Sequence, residues 1–363
     1  MNNLFAMFKK FTHGWYEKGI TRTLLFLGGS AISSAFAQDW LRSILIPIAN
    51  KLIGTQMVYT EKPPNYTYMT IAITVGFGLI GLGLWFYFKT KTKSKKQIML
   101  RIQHSSIEPT TFSNFDTDLS DYDLEPFPIN QREELEEVKE TNIYHALREQ
   151  EKVAKKVIQR LNDNDDIEVS YWGLAHIPFL LLLGYQTSDK LKSSFFEWNR
   201  HKAIWEKVKQ KRMFYPPLKL DKDISKQDVG ETKEVVVKIG ITYPVTEANL
   251  DGLSLEELNS YYLHLDPPHQ NAIVCMEQVN KYKEEFRNLL DEINQTYPHL
   301  EKIHLFYSGQ PSLAYRLGST ISPRMDKEIW VYNFSTTSFP KYNWAINLKK
   351  VDQPIDVKIT GGN

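Results

Sequence analysis

A polar break at Ser308 to Pro311 interrupts an apolar run near the end of the chain. The residues before the break, from 303 to 307, have the composition of a buried strand, and apolar residues resume after it at helical spacing. Proline is favoured at the first position of a helix because its missing N–H would have no partner there. The free N–H groups at the start of a helix attract anions. The break therefore predicts a strand-to-helix turn that can bind an anion.

The same order of elements occurs twice in the chain. Residues 166–198 and residues 302–332 each indicate a strand, a glycine-containing turn, a helix that opens at a proline, and a second strand. Each copy has a glycine near the end of its helix and continues to a tryptophan; the matching pairs are Pro178 and Pro311, Gly184 and Gly318, and Trp205 and Trp344. The duplication predicts two pseudo-symmetric halves.

Strands and helices also alternate between the two copies. Residues 233–244 and 259–267 indicate strands, and residues 271–297 indicate a helix. This alternation predicts an open α/β sheet in each half. Ligands of such sheets bind at the carboxyl ends of the strands, beside helix N-termini. We therefore expect one composite pocket where the two halves face each other.

Composition sets only loose limits on the fold and function of the chain. Its 363 residues, 42% hydrophobic and 24% charged, are typical of globular protein and allow more than one folded unit. The net charge of +1 gives no general attraction to a nucleic acid polymer, so any nucleotide recognition must be local. A single cysteine, Cys275, excludes an intramolecular disulfide and a cysteine metal cluster.

The clearest membrane signal is the segment from 66 to 88, which contains no charged residue. Its length is sufficient for a bilayer core of roughly 30 Å. Tyrosine and tryptophan lie at its ends, as in the aromatic belts of membrane helices. Five lysines follow directly between 89 and 96, and such a cluster marks the cytoplasmic side. The sequence therefore predicts a membrane span with the downstream chain in the cytoplasm.

A second apolar segment precedes this span. Residues 20–41 can cross a membrane if slightly tilted, which gives a two-helix hairpin with a cytoplasmic N-terminus. An alternative stays open, because residues 23–37 end in Ala35-Phe36-Ala37, which has the form of a signal-peptidase site. Small residues in both segments allow close helix contact, either within one chain or among several chains.

These signals divide the chain into three parts. Residues 1–96 are expected to be a membrane region with two transmembrane helices, at about 20–41 and 66–88. Residues 97–130 carry many acidic residues and prolines and predict an extended linker. Residues 131–363 are expected to form a soluble domain, which opens with a helix capped at Asn130 and ending at Asn162.

The two copies resemble the SAVED domain, the sensor of cyclic oligonucleotides in bacterial CBASS anti-phage systems. The resemblance is carried by YWGLAHIPFLLLLGYQTSDK with the following FFEWNRHKAIW, and by HLFYSGQPSLAYRLGSTISPRMDKEIWVYNF. It covers roughly residues 135–350. It implies two CARF-like, Rossmann-like halves, which agrees with the duplication. Two membrane spans ahead of such a domain look like the two-transmembrane SAVED effectors of those systems.

The resemblance also implies a ligand and a pathway. A cGAS-like nucleotidyltransferase makes a cyclic di- or trinucleotide, and the SAVED domain binds it without a further cofactor or metal. Such a ligand offers phosphates to helix N–H groups and cations, and bases to aromatic faces. The candidates for these roles are Trp172, His176, Trp198, Arg200, Tyr307, Ser308, Gly309, Gln310, Tyr315, Arg324 and Lys327. For each of them the alternative is an ordinary core or surface residue that contacts no ligand.

Catalytic motifs are missing from the sequence. It contains no HExxH, no phosphate loop with GK[ST], no GxSxG and no Cys/His dyad, and the prolines in HLDPPHQN favour a turn over a metal site. We therefore predict a non-enzymatic receptor in the bacterial inner membrane that binds a cyclic oligonucleotide, forms a homo-oligomer, contacts membrane lipid and permeabilises the bilayer. Two alternatives remain: a membrane-tethered hydrolase of the messenger, and a ligand-free bitopic scaffold.

Overall fold

The computed structural model describes residues 19, 21–34, 46–48, 50–51, 54, 66–91, 97–108, 110–162, 167–187, 193–212, 214–348 and 355–360. The chain divides into two compact units, Met1–Lys95 and Lys96–Asn363.

The first unit contains helix α1 over residues 21–34 and helix α2 over Tyr66–Lys91. Within the described residues, one helix, Tyr66–Tyr87, is long and apolar enough to cross a membrane. Positions 20 and 35–41 of the other predicted span lie outside the described residues.

Helices α1 and α2 meet through their backbones. A Cβ atom on Gly28 would lie 2.7 Å from the carbonyl oxygen of Gly76, and one on Gly76 would lie 2.8 Å from the carbonyl oxygen of Gly28. Any larger side chain at either position would therefore push the helices apart. Glycine at this contact lets α1 and α2 approach closely within one chain, in agreement with the expectation from their small residues.

The second unit contains twelve strands and five helices in its described part. The strands are β1 Gln97–Ser105, β2 Tyr122–Asn130, β3 Ile167–Leu174, β4 Ser193–Asn199, β5 Ile204–Lys207, β6 Lys219–Asp223, β7 Glu234–Gly240, β8 Ser260–His264, β9 Lys302–Ser308, β10 Glu328–Phe334, β11 Tyr342–Leu348 and β12 Val357–Ile359. The helices are α3 Glu140–Asn162, α4 Ile177–Thr187, α5 Glu247–Leu250, α6 Met276–Thr296 and α7 Pro311–Thr320.

These strands form two sheets. The first has the order β2-β1-β3-β4-β5, and the second has the order β12-β11-β10-β9-β7-β8-β6. In each sheet the central strands are parallel and antiparallel strands lie at one or both margins. Mixed sheets of this kind, with helices connecting the parallel strands, are an α/β architecture.

The segment predicted to be a linker, 97–130, instead contains β1 and β2. These strands pair in parallel, and β1 also pairs with β3. Pro126 and Pro128, which suggested irregular chain, lie in β2 at the edge of the sheet. Proline is tolerated there because an edge strand has N–H groups on one side that need no partner strand.

Helix α3 begins at Glu140 and not at the predicted cap Asn130. The residues between them form turns, and Gln131 at their start is buried in the core. Its Oε1 lies 2.9 Å from Nε2 of the fully buried His104, and its Nε2 donates to the carbonyl oxygen of Ala146 at 2.8 Å. The predicted end of the helix at Asn162 is confirmed.

The predicted duplication is confirmed by the topology. In the first sheet, β3 leads through α4 to the parallel neighbour β4, and β5 returns antiparallel. In the second sheet, β9 leads through α7 to the parallel neighbour β10, and β11 returns antiparallel. Helix α4 contacts β10 and β11, whereas α7 contacts β3 and β4. Each helix thus packs on the sheet of the other half, and one large apolar core joins both halves.

Candidate ligand-binding cleft

A cleft opens where the carboxyl ends of β3 and β4 approach those of β7 and β9. It contains two adjoining cavities of about 360 Å³ and about 530 Å³. Glu197, Trp198, Asn271 and Gln310 line both cavities. Volumes of this size are typical of small-molecule sites. The composite pocket expected from the alternation of strands and helices therefore lies where the two halves meet.

The larger cavity is lined by a run of cations at the end of β5 and directly after it: Lys207, Lys209, Lys211 and Arg212. The backbone holds this run in place, because the N–H of Met276 at the start of α6 donates to the carbonyl oxygen of Lys209 at 2.8 Å. Its side chains are the cleft's main cationic groups and were missed by the sequence interpretation. The signal was the alternation of basic residues in KVKQKR, residues 207–212.

The turn at Ser308 to Pro311 has the predicted form. Helix α7 begins at Pro311 directly after β9 ends at Ser308. Gly309, Gln310 and Pro311 line the smaller cavity. The Gln310 side chain is fixed, because its Oε1 accepts the N–H of Ile273 at 2.6 Å.

The anion at this turn is a carboxylate of the protein itself. Oε1 of Glu197, at the carboxyl end of β4, accepts the N–H of Ser312 in the first turn of α7 at 2.9 Å. Burial raises the pKa of Glu197 to about 7, although the hydrogen bond from Ser312 opposes this shift. Glu197 was missed by the sequence interpretation, and its signal was one acidic residue within the apolar strand FFEW.

Of the aromatic candidates, Trp198 is partly exposed and lines both cavities. Arg200 is exposed, lines the smaller cavity and lies 3.5 Å from Glu108, measured from Nη2 to Oε1. His201, on the turn after β4, lines the same cavity. The carboxyl end of β4 therefore supplies one stacking surface and two groups that can bind phosphate.

His176 lies beside the cleft but is bound within the protein. Its Nδ1 lies 2.8 Å from Oγ of Ser106, and the same hydroxyl accepts the backbone N–H of His176 at 2.8 Å. Burial lowers the pKa of His176 to about 4, so its imidazole is neutral at pH 7. Its neighbours Ala175 and Ile177 line the smaller cavity, whereas His176 lines neither cavity.

The structure places three other aromatic candidates in the core. Trp172 stacks on Phe196 at 3.9 Å between ring centroids, the Tyr307 hydroxyl donates to the carbonyl oxygen of Gln310, and the Tyr315 hydroxyl lies 2.7 Å from Oγ1 of Thr187. All three side chains are buried. Packing within the protein covers all three rings in this conformation, and their contact with ligand stays a prediction.

Arg324 and Lys327 lie in the exposed loop between α7 and β10. A helix that connects two parallel strands returns the chain to the amino ends of the strands. This loop is therefore at the opposite edge of the sheet from the cleft, and neither residue lines either cavity. Their role as phosphate ligands stays a prediction, and their placement does not favour it.

The first histidine of the turn HLDPPHQN is bonded to another side chain of the protein. Nε2 of His264 lies 2.9 Å from Oδ2 of Asp221. Across the part of the chain that the structure describes, no group of three or more His, Cys, Asp or Glu side chains could hold a metal ion.

Solved structures similar to this chain include receptors from two bacteria. The Acinetobacter baumannii Cap4 SAVED/CARF-domain containing receptor with the cyclic trinucleotide 3'3'3'-cAAA is 15% identical, with 78% of this chain and 59% of that chain covered and a TM-score of 0.46. The Moraxella osloensis Cap4 SAVED/CARF-domain containing receptor is 14% identical, with 84% and 63% covered and a TM-score of 0.41. This chain thus spans less than two thirds of either receptor. No curated protein matches it.

Residues 149–348, more than half of the chain, match the SAVED family, described as the SMODS-associated and fused to various effectors sensor domain. The matched range begins within α3 and contains both copies of the duplication and the whole lining of the larger cavity. The chain therefore belongs to the SAVED family of sensor domains.

Proposed function

We propose that this chain is a receptor for a cyclic di- or trinucleotide, which binds in the cleft between the two halves. The observation that carries this proposal is the combination of side chains in the cleft. Lys207, Lys209, Lys211 and Arg212 can neutralise phosphates, while Trp198 can stack on a base. A cyclic oligonucleotide presents both groups around one ring. The description of the family as a sensor domain agrees with this assignment.

The first unit is proposed to anchor the receptor in the bacterial inner membrane. Helix α2 has the required length and composition, and α1 packs on it through Gly28 and Gly76. A two-helix hairpin of this kind, followed by lysines, would leave the N-terminus and the SAVED domain in the cytoplasm.

The output is proposed to be membrane damage in a CBASS pathway. A nucleotidyltransferase would supply the ligand after infection, and bound receptors would form a homo-oligomer. Oligomerisation raises the local concentration of the hairpins and converts weak helix contacts into an assembly that leaks. Such a receptor needs no catalysis, in contrast to a hydrolase of the messenger.

The test uses the full chain in detergent and in lipid vesicles. Thermal stability is measured with a panel of cyclic di- and trinucleotides, because a ligand that binds only the folded state raises its melting temperature. We expect one ligand to raise the melting temperature of the chain and to be recovered intact. In vesicles that contain the full chain, the same ligand should release a trapped dye. Stabilisation without dye release would contradict the membrane output, degradation would favour the hydrolase, and no stabilisation would favour the scaffold.

A further inference from the structure

Glu197 is unusual among the acidic groups of the cleft. Glu197 and Glu206 are the acidic side chains that line the two cavities. Glu206 is paired, because its Oε1 accepts from Lys202 Nζ at 2.7 Å and from Asn199 Nδ2 at 3.1 Å. Glu197 has no ion-pair partner within the described residues, and its one hydrogen bond is from the N–H of Ser312. An unpaired, half-buried carboxylate thus lies in the wall that both cavities share.

Because Glu197 lines both cavities, an anionic ligand that fills either of them lies near this carboxylate. The cations of the larger cavity attract phosphate, whereas an ionised Glu197 repels it. A second negative charge in a confined site raises the pKa of a carboxyl group, because it disfavours the ionised form. Protonation of Glu197 removes the repulsion at the cost of one proton taken from the buffer.

We propose that Glu197 couples the binding of an anionic ligand in this cleft to the uptake of a proton, so that the receptor binds its ligand more tightly as the pH falls. The inference rests on the proposed function, since it concerns the same cleft. The raised pKa of Glu197, about 7, means that the ligand-free carboxyl is partly ionised at neutral pH. A modest further shift on binding then changes its protonation measurably.

Other titratable groups near Glu197 do not explain such an effect equally well. Burial raises the pKa of the neighbouring phenols, Tyr171 and Tyr307, so both stay protonated near neutral pH. The other titratable side chains that line the cavities are the lysines and the arginine of the larger cavity and Arg200, His201 and Tyr243 of the smaller cavity. His201 needs a control of its own, because protonation of its imidazole would also favour an anion.

Isothermal titration calorimetry of the full chain in detergent tests the inference. The probes are 3'3'3'-cAAA, 2'3'3'-cAAA and cyclic di-AMP, each titrated at pH 7.5 in two buffers with different ionisation enthalpies. The difference in heat gives the number of protons taken up. We expect uptake of up to about three quarters of a proton at pH 7.5, the fraction of Glu197 that is ionised there before the ligand binds, with affinity falling by up to about tenfold per pH unit between pH 7 and pH 8.5.

Glu197→Gln should abolish both the uptake and the pH dependence, and it should bind more tightly than the wild type at pH 8. Glutamine keeps an oxygen for the N–H of Ser312, so the fold is retained. Glu206→Gln and His201→Gln are the matched controls and should take up protons as the wild type does. Binding without uptake, or uptake that survives Glu197→Gln or disappears in His201→Gln, overturns this inference alone. Failure of every probe to bind overturns the proposed function and the inference together.

Discussion

Gly184 on α4 and Gly318 on α7 form a reciprocal contact between the two halves. A Cβ atom on Gly184 would lie 1.9 Å from the carbonyl oxygen of Tyr315, and a Cβ atom on Gly318 would lie 1.9 Å from the carbonyl oxygen of Leu181. Each glycine thus touches the residue three positions before the other. The equivalence of the two contacts places a pseudo-two-fold axis between the helices and fixes the halves that form the cleft.

Replacing either glycine by alanine should destabilise the second unit. The clash is with backbone atoms, which cannot move without separating the helices, and overpacking of this kind costs about 1–3 kcal/mol or more. We expect Gly184→Ala and Gly318→Ala each to lower the melting temperature by roughly 5 °C or more. Gly230→Ala is the matched control, because a Cβ atom on Gly230 would meet nothing within 4 Å. Equal melting temperatures for all three variants would contradict the reciprocal contact.

The duplication could be predicted from the sequence because prolines, glycines and tryptophans recur at equivalent positions in two apolar copies. The strands of the acidic segment could not be predicted in this way. Pro126 and Pro128 are compatible with a strand at the edge of a sheet, and the sequence alone does not show which strand lies at the edge. The cleft was located correctly, at the turn before α7. Which side chains line this cleft could not be predicted, because sequence alone does not distinguish the buried Trp172 from the accessible Trp198.

Acid should destabilise the fold through its buried histidines. Burial lowers the pKa of His104 and of His176 to about 4. The unfolded chain binds a proton at each imidazole near pH 6.5, whereas the folded chain does not until about pH 4. Stability is therefore lost as the pH falls from 6.5 to 4, by up to about 3 kcal/mol for each histidine.

The histidine effect is best measured as a difference between variants. Glu197, whose pKa is raised, acts in the opposite direction between pH 7 and pH 4.5, so the wild-type profile alone combines both effects. We expect urea unfolding of His176→Gln to depend less steeply on pH between 6.5 and 4 than unfolding of the wild type. Parallel profiles for the two proteins would show that His176 does not contribute.

Cations in the cleft should bind ligand, and cations at the opposite edge should not. Lys209→Ala and Arg212→Ala each remove a positive charge from the larger cavity, and loss of a hydrogen bond to a charged group costs about 1.5–3 kcal/mol, or at least tenfold in affinity. The backbone contact of Lys209 with Met276 is unaffected. The affinity of both variants for the ligand should also depend less on the salt concentration than that of the wild type.

Arg324→Ala and Lys327→Ala serve as controls for these cation variants. Both residues are cations, but they lie in the loop between α7 and β10, away from the cleft. We expect both control variants to bind cyclic oligonucleotides with the affinity of the wild type, measured in titrations at two salt concentrations. A loss in these variants that equals the loss in Lys209→Ala would place the ligand elsewhere on the second unit.

Two tryptophans should separate ligand binding from folding. Trp198 lines both cavities with a partly exposed ring and also packs on Trp205, so Trp198→Ala should weaken binding by about 1–3 kcal/mol through lost stacking and lower the melting temperature less than Trp172→Ala does. Trp172 is fully buried against Phe196 and under the guanidinium of Arg101, so Trp172→Ala should cost about 3–5 kcal/mol of stability. Thermal unfolding with and without 3'3'3'-cAAA measures both quantities on the same samples. If Trp198→Ala lowers the melting temperature as much as Trp172→Ala while binding is unchanged, Trp198 belongs to the core and the base lies elsewhere.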